Sequence, residues 1–393
     1  MKTINIFVNS FPKTSETFIF NKVSMLLKNG FRVNVITSEI DANSKLEIKE
    51  LLIYKSFRIV LNPLNSRFTI PVLCKSLLSK NFWKVLLLNK GSLNKTYKDY
   101  LLQATLQMFT PDIIHFEFSG LGFQYLHLFD KLKGVTLVSS FRGAAENITP
   151  LINSNRRLEF PSYLEKIDIC HCVSKKMAFT LSKYGFDKSK EFINYPSIDI
   201  DKFKFIKEYD FNPGNTIRII SIGRLHWKKG IDIALLALSK LKKKGFNFIY
   251  TLVGDGGEFE KLKFLTSYFG LENEVKFVGY KSPQEVSDLL LKSQLFLLPS
   301  YSEGLANSAL EAMSSGIPVI SARAGGLEEA IIHKESGLLF NVGDVEDLYS
   351  NLVSVFELSH DLNYIRKNAR QTVEKKFDLR IQSEKFKELY LNI

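Results

Sequence analysis

The sequence predicts an α/β protein of two doubly wound domains that face each other across a cleft. Three observations predict it. The chain has 393 residues, well beyond the usual size of a single domain. Both halves alternate short apolar strands with amphipathic helices, the pattern of parallel βαβ units. Between the halves, residues 195–215 (YPSIDIDKFKFIKEYDFNPGN) lose that periodicity and hold Pro196 and Pro213. The expected division is therefore 1–195 as the first domain, 196–214 as a linker and 215–375 as the second domain. Residues 376–393 are expected to form a helix that crosses back to the first domain.

The elements follow in order. INIFVN (4–9) is a short apolar strand. A Ser/Pro/Thr loop over 10–15 leads into a helical run with Phe18, Val23, Leu26 and Leu27, which Gly30 stops. FRVNVIT (31–37), PDIIHFEF (111–118), VTLVSSF (135–141) and KIDICHCVS (166–174) continue the strands. In the second half IRIISIG (217–223) is a strand ending in Gly, and IDIALLALSKLKKKG (231–245) is a helix closed by basic residues and Gly245. NFIYTLVG (247–254), EVKFVGY (274–280), QLFLLPS (294–300) and IPVIS (317–321) are further strands. Ser282-Pro283-Gln284-Glu285 reads as a capping box with Pro at the first helical position, and Asp344 caps a helix to about residue 358. A doubly wound sheet takes its ligand at the carboxyl ends of its strands.

Three loops at such ends can carry chemistry. Gly223-Arg224-Leu225-His226-Trp227-Lys228-Lys229-Gly230 joins a strand to a helix, and Arg224 and Lys229 with backbone amides suit a diphosphate. It is not a Walker loop. Val253-Gly254-Asp255-Gly256-Gly257 lets backbone approach a ligand closely. The third runs Ser300-Tyr301-Ser302-Glu303-Gly304-Leu305-Ala306-Asn307-Ser308-Ala309-Leu310-Glu311. Asn307 or Ser308 is expected to cap a helix there, and the Gly304–Ser308 amides would face an anion. Carboxylates beside a phosphate site suit hydroxyls, so Glu303 and Glu311 fit a sugar and a ribose. Each loop alone also reads as an ordinary turn, and the two Glu as surface charges. Cys170-His171-Cys172 lies on a strand, where neighbours face opposite ways, so a metal site is not expected. His115 reads as structural, and His226 is the better functional candidate because of its loop.

Together these residues resemble the family 4 retaining glycosyltransferases of the GT-B fold, with two Rossmann-like domains. The resemblance rests on Gly-Arg-Leu-x-x-x-Lys-Gly, Val-Gly-Asp-Gly and Glu303-x7-Glu311, in that order. Ala324-Gly325-Gly326-Leu327-Glu328-Glu329 and Ser336-Gly337-Leu338-Leu339 extend it across about 215–360. The N-terminal half is similar in Phe11-Pro12-Lys13-Thr14-Ser15-Glu16-Thr17-Phe18, which looks like members that build extracellular polysaccharides. In Ser140-Phe141-Arg142-Gly143, Arg142 stands where many members have His.

The resemblance implies transfer of a sugar from a nucleotide-sugar donor to a saccharide or lipid-linked acceptor, with retention and without a metal or other cofactor. It implies catalytic roles for Glu303, Arg224, Lys229 and Arg142. It implies donor contacts from Gly223, Gly254, Asp255, Gly256, Gly304, Leu305, Ala306, Asn307, Ser308 and Glu311. Acceptor contacts fall to Ser15, Glu16, Thr17 and Glu146. The weighed alternatives are a sugar-nucleotide epimerase of related fold and an inactive nucleotide-sugar-binding protein.

Charge and composition bound the partners. Lys and Arg total 53 against 41 Asp and Glu, a formal net charge of +12. Nine of those charges lie within residues 51–98, which hold no acidic residue. Apolar residues at 73, 77, 78, 82 and 85 give that stretch helical spacing, so it reads either as a surface for anionic lipid or as a solvated helix face. Nucleic acid is not expected, because no recognised reading motif is present. Hydrophobic residues at 45% and charged residues at 24% exclude a disordered chain, and three cysteines exclude a disulfide scaffold. No signal peptide and no run of about 18 apolar residues is found. The expected location is cytoplasmic, peripheral at most on the inner membrane face.

Overall fold

The computed structural model describes residues 1–13, 16–40, 45–61 and 93–393. The chain divides into two compact units. The first comprises Met1–Cys172, Ala178–Asn194 and Ser383–Ile393, and the second Val173–Met177 and Tyr195–Gln382. Both are doubly wound α/β units, the fold class expected.

The first unit holds seven parallel strands: β1 (Thr3–Ser10), β2 (Arg32–Glu39), β3 (Phe57–Leu61), β4 (Ile113–Phe116), β5 (Thr136–Phe141), β6 (Ile169–Cys172) and β7 (Glu191–Ile193). Their order is β3-β2-β1-β4-β5-β6-β7. Apolar residues at Ile19, Val23 and Leu26 recur along one face of the helix Thr17–Lys28 and bury it on the sheet.

The second unit holds six: β8 (Ile217–Ile222), β9 (Phe248–Val253), β10 (Val275–Phe277), β11 (Leu295–Leu298), β12 (Val319–Ala322) and β13 (Leu338–Phe340). Their order is β10-β9-β8-β11-β12-β13, again all parallel. Strands covered on both faces read as unbroken apolar runs, and β11 (LFLL) is buried at every position. The helix Pro283–Leu291 carries the capping box of Ser282 and Glu285. Asp344 accepts from the amides of Glu346 and Asp347, both at 3.0 Å, and opens the helix Val345–Phe356. Each sheet has one point where its strand order reverses, between β1 and β4 and between β8 and β11. Such a reversal is where a doubly wound sheet takes its ligand.

Two differences from the sequence reading stand out. Residues 196–214 pack into the second unit: Ile198, Ile200 and Phe203 join its core, so the loss of periodicity marks irregular packing, not a free linker. β3, β7 and β13 were not foreseen as strands, because segments of five, three and three residues are too short to show a period. The helix foreseen over 73–85, with most of the basic stretch, lies outside the described residues. No helix among the described residues is long and apolar enough to cross a membrane.

Candidate active site

The second unit gathers its polar residues at its switch point. The turn after β8 and the loop after β11 are joined where the Tyr301 amide donates to the Lys228 carbonyl at 2.7 Å. That junction brings the Lys229 ammonium to 2.6 Å from Glu303 Oε1, with both side chains mostly buried. Ser300 Oγ donates to the same oxygen at 2.7 Å. Gly223, Arg224, Lys229, Leu252, Val253 and Pro299 line a shallow recess beside the pair. Arg224 is exposed and has no hydrogen-bond or ion-pair partner among the described residues.

Two glycines make these loops close enough. At Gly254, φ is +128°, and a Cβ would stand 2.1 Å from the Gly223 carbonyl oxygen. At Gly325, φ is +60°, and a Cβ would stand 1.9 Å from the Glu303 carbonyl oxygen. Both approaches exclude any larger residue. The Gly326 amide then donates to the Gly304 carbonyl at 2.6 Å, which fixes the backbone on both sides of Glu303.

The helix Asn307–Ser315 starts differently from the expectation. Its cap is Ala306, not Asn307 or Ser308, and Ala306 has no side-chain oxygen to offer. The first-turn amides of Asn307 and Ser308 therefore have no acceptor among the described residues. One turn further on, Glu311 is half-buried and also unpartnered among the described residues. Burial pushes its carboxyl up to about 7. A carboxyl kept in this state has capacity for hydroxyl donors and no internal use for it.

Other donor-side residues serve the fold. Asp255 Oδ2 accepts from the Tyr280 amide at 2.9 Å, while its carbonyl accepts from the Leu225 amide at 2.8 Å. Gly256 packs on the Leu225 carbonyl. Gly304, Leu305 and Ala306 are buried in the loop after β11. His226 Nδ1 accepts from the Lys228 amide at 3.3 Å and caps the turn Trp227–Lys229. Trp227 is half exposed on that turn.

The first unit carries a polar cluster that the sequence did not announce. At the end of β4, the buried Glu117 receives Lys22 Nζ on Oε1 at 2.6 Å and Arg142 Nη2 on Oε2 at 2.6 Å. Arg142 Nε donates to the Glu117 carbonyl at 2.9 Å, and its guanidinium lies 4.2 Å from the centre of the Phe18 ring. Burial alone raises a carboxyl, but the charges of Lys22 and Arg142 outweigh it and hold Glu117 well below the usual carboxylate range. Burial pulls the Lys22 ammonium down to about 8 against the pull of Glu117. Behind them, His115 meets Lys22 at 3.0 Å and Ser140 Oγ at 2.7 Å, and Ser140 meets His171 Nδ1 at 2.7 Å. Burial drives both imidazoles down, His171 to about 3, so both are neutral. His171 is thus a core residue, with Cys170 and Cys172 as buried free thiols beside it.

The expected acceptor residues divide. Glu146 is buried, and its carboxylate accepts from Ser119 Oγ at 2.6 Å and from the amides of Gly143 at 2.8 Å and Arg142 at 3.2 Å. It holds the loop after β5 and does not face solvent. Glu16 pairs with Lys13 at 2.9 Å at the start of the helix Thr17–Lys28, and Thr17 is exposed. Ser15 lies outside the described residues. The missed residues are Lys22, His115 and Glu117. Their signal was a charged or polar side chain inside an apolar run, which implies a buried partner.

Residues 202–372 match the family described as glycosyl transferases group 1. The chain is 25% identical over 405 residues to the amylovoran biosynthesis glycosyltransferase AmsK of Erwinia amylovora, covering 98% of each protein. It is 34% identical over 172 residues to the sulfoquinovosyl transferase SQD2 of Arabidopsis thaliana, covering 43% of this chain and 32% of that one. The fold is shared with HepE of Anabaena, solved in complex with UDP-glucose, at a TM-score of 0.77 and 18% identity over the whole of both chains.

Proposed function

We propose that this chain is a glycosyltransferase that moves a sugar from a nucleoside diphosphate sugar to a saccharide or lipid-linked acceptor in surface polysaccharide biosynthesis. One observation carries the reading. Lys229 pairs with Glu303 at the switch point of a sheet whose sequence matches group 1 glycosyl transferases, and the helix after Glu303 begins with the Asn307 and Ser308 amides, which have no acceptor among the described residues, and carries Glu311.

The chemistry follows from charge. The leaving group is a nucleoside diphosphate, and its departure builds negative charge. Lys229 and Arg224 neutralise that charge, with the helix amides as further donors. In the donor-free chain the Glu303 carboxylate occupies the Lys229 ammonium. A phosphate oxygen takes that place on binding and frees Glu303 for the sugar hydroxyls. Glu311 accepts from the ribose hydroxyls. No side chain in this arrangement needs to act as a nucleophile, which fits retention by attack on the face the leaving group departs from. The diphosphate is neutralised by side chains and amides, so the reading includes no metal. The acceptor falls to the first unit. A peripheral contact with anionic membrane rests on the composition of residues 51–98 alone, and the cytoplasm is the proposed location.

A thermal-shift panel of UDP-, GDP- and ADP-sugars with EDTA present tests the reading. One nucleotide should raise the melting temperature by several degrees, since a ligand specific to the native state stabilises it. No shift from any member, or a shift that appears only with Mg²⁺ or Mn²⁺, contradicts it.

A further inference from the structure

The first sheet has its own switch point, between β1 and β4, and the buried charge cluster sits there. Glu117 directly follows β4, Arg142 directly follows β5, and Lys22 lies on the helix that follows β1. All three therefore stand at the carboxyl edge of the sheet, where a doubly wound unit takes a ligand.

The geometry of Arg142 is specific. Its Nε and Nη2 are both spent on Glu117, and Phe18 fixes the plane of the guanidinium. Its Nη1 has no acceptor among the described residues, and the side chain is 15% exposed, so one edge remains open. Glu117 cannot turn away, because Lys22 holds its other oxygen. Lys22 also lies 4.0 Å from the centre of the Phe386 ring, which keeps it in place.

Neutralising Glu117 does not require Arg142. Lys22 already supplies a full charge at 2.6 Å. Two cations on one carboxylate leave a positive charge in excess, and the neighbouring imidazoles are neutral. Glu146 touches Arg142 only through its backbone amide. A partly buried cation with an open donor edge suits a counter-anion.

We propose that Glu117 is a positioning residue: clamped by Lys22, it sets Arg142 at the edge of the first sheet so that the open Nη1 edge meets an anionic phosphate oxygen of the bound ligand. The inference rests on the glycosyltransferase reading, in which the first unit takes the acceptor, and the oxygen is that of a diphosphate on a prenyl-type acceptor.

The test uses the full chain with Glu117→Gln, Arg142→Lys and the double variant. The probes are the strongest binder among UDP, GDP and ADP, and geranyl diphosphate. Each single variant should weaken geranyl diphosphate by about tenfold, the scale of one charge-assisted hydrogen bond, and leave the nucleotide near wild type. The double variant should weaken it no further, because both changes remove the same contact. A loss confined to the nucleotide overturns the acceptor assignment. Wild-type affinity for both probes in folded Glu117→Gln, with a loss in Arg142→Lys, overturns the positioning role. Wild-type affinity in both single variants overturns the anion contact. Should Glu117→Gln fail to fold, Lys22→Met takes its place, and unchanged affinity there overturns the clamp. A wild-type chain that binds none of the nucleotides overturns the transferase reading and this inference together. Loss of nucleotide in Lys229→Ala, with wild-type affinity for geranyl diphosphate in the Glu117 and Arg142 variants, overturns this inference alone.

Discussion

Glu311 ties function to a measurable titration. A carboxyl with an ordinary value near 4.5 unfolded and about 7 folded binds more protons in the folded chain between those limits. Its contribution to stability therefore falls as pH rises from about 4.5 to 7, and the loss is complete above 7. Glu311→Gln removes the titration. The variant should gain melting temperature relative to wild type at pH 8 but not at pH 4.5, while its nucleotide affinity falls. An equal change in stability at both pH values contradicts the assignment. In the wild type, ribose hydroxyls bind the ionised form, so donor affinity should rise as pH climbs from about 5 to 7. At this scale the sequence was legible where function is spelled locally: Lys229, Glu303 and Glu311 each sit in a short motif. Lys22 and Glu117 were not legible, because they are 95 residues apart and meet only when two strands and a helix are assembled. Asn307 and Ser308 were misread as caps because the sequence shows a polar residue near a helix start but not which backbone turn comes first.

The elements owe their positions to contacts between loops. Gly325→Ala forces a Cβ against the Glu303 carbonyl and should cost about 1–3 kcal/mol of stability, with weaker donor binding as Glu303 shifts. Gly257→Ala is the control, since nothing lies within 4 Å of its Cβ position, and both stability and binding should stay near wild type. Thermal melts and nucleotide titrations of the two variants check this. If Gly325→Ala binds nucleotide as wild type does, the close approach of the loops after β11 and β12 has no part in the site. Ser282→Ala removes a reciprocal cap and should lower stability by about 1 kcal/mol without touching affinity. The longer strands and amphipathic helices were readable because a fully buried parallel strand is an apolar run bounded by Gly or Pro. β7 and β13 were not, since three residues at a sheet edge carry no period.

Across the whole molecule, two doubly wound units divide the labour that the chemistry demands. In the proposed reading the second presents a desolvated carboxyl, a Lys–Glu pair and open amides to a diphosphate sugar. The first presents Arg142 held by Glu117 and Lys22. The doubled fold was legible from length and βα alternation. The packing of residues 196–214 was not, because irregular backbone hides the burial of Ile198, Ile200 and Phe203. The net charge of +12 includes groups such as Arg224 that have no ion-pair partner among the described residues. The most direct test of the account is calorimetric titration of wild type and Lys229→Ala with the nucleotide sugar selected by thermal shift, in EDTA. Wild type should bind one molecule per chain, and Lys229→Ala, still folded, should bind at least about tenfold more weakly. Equal affinity in the two proteins contradicts the account.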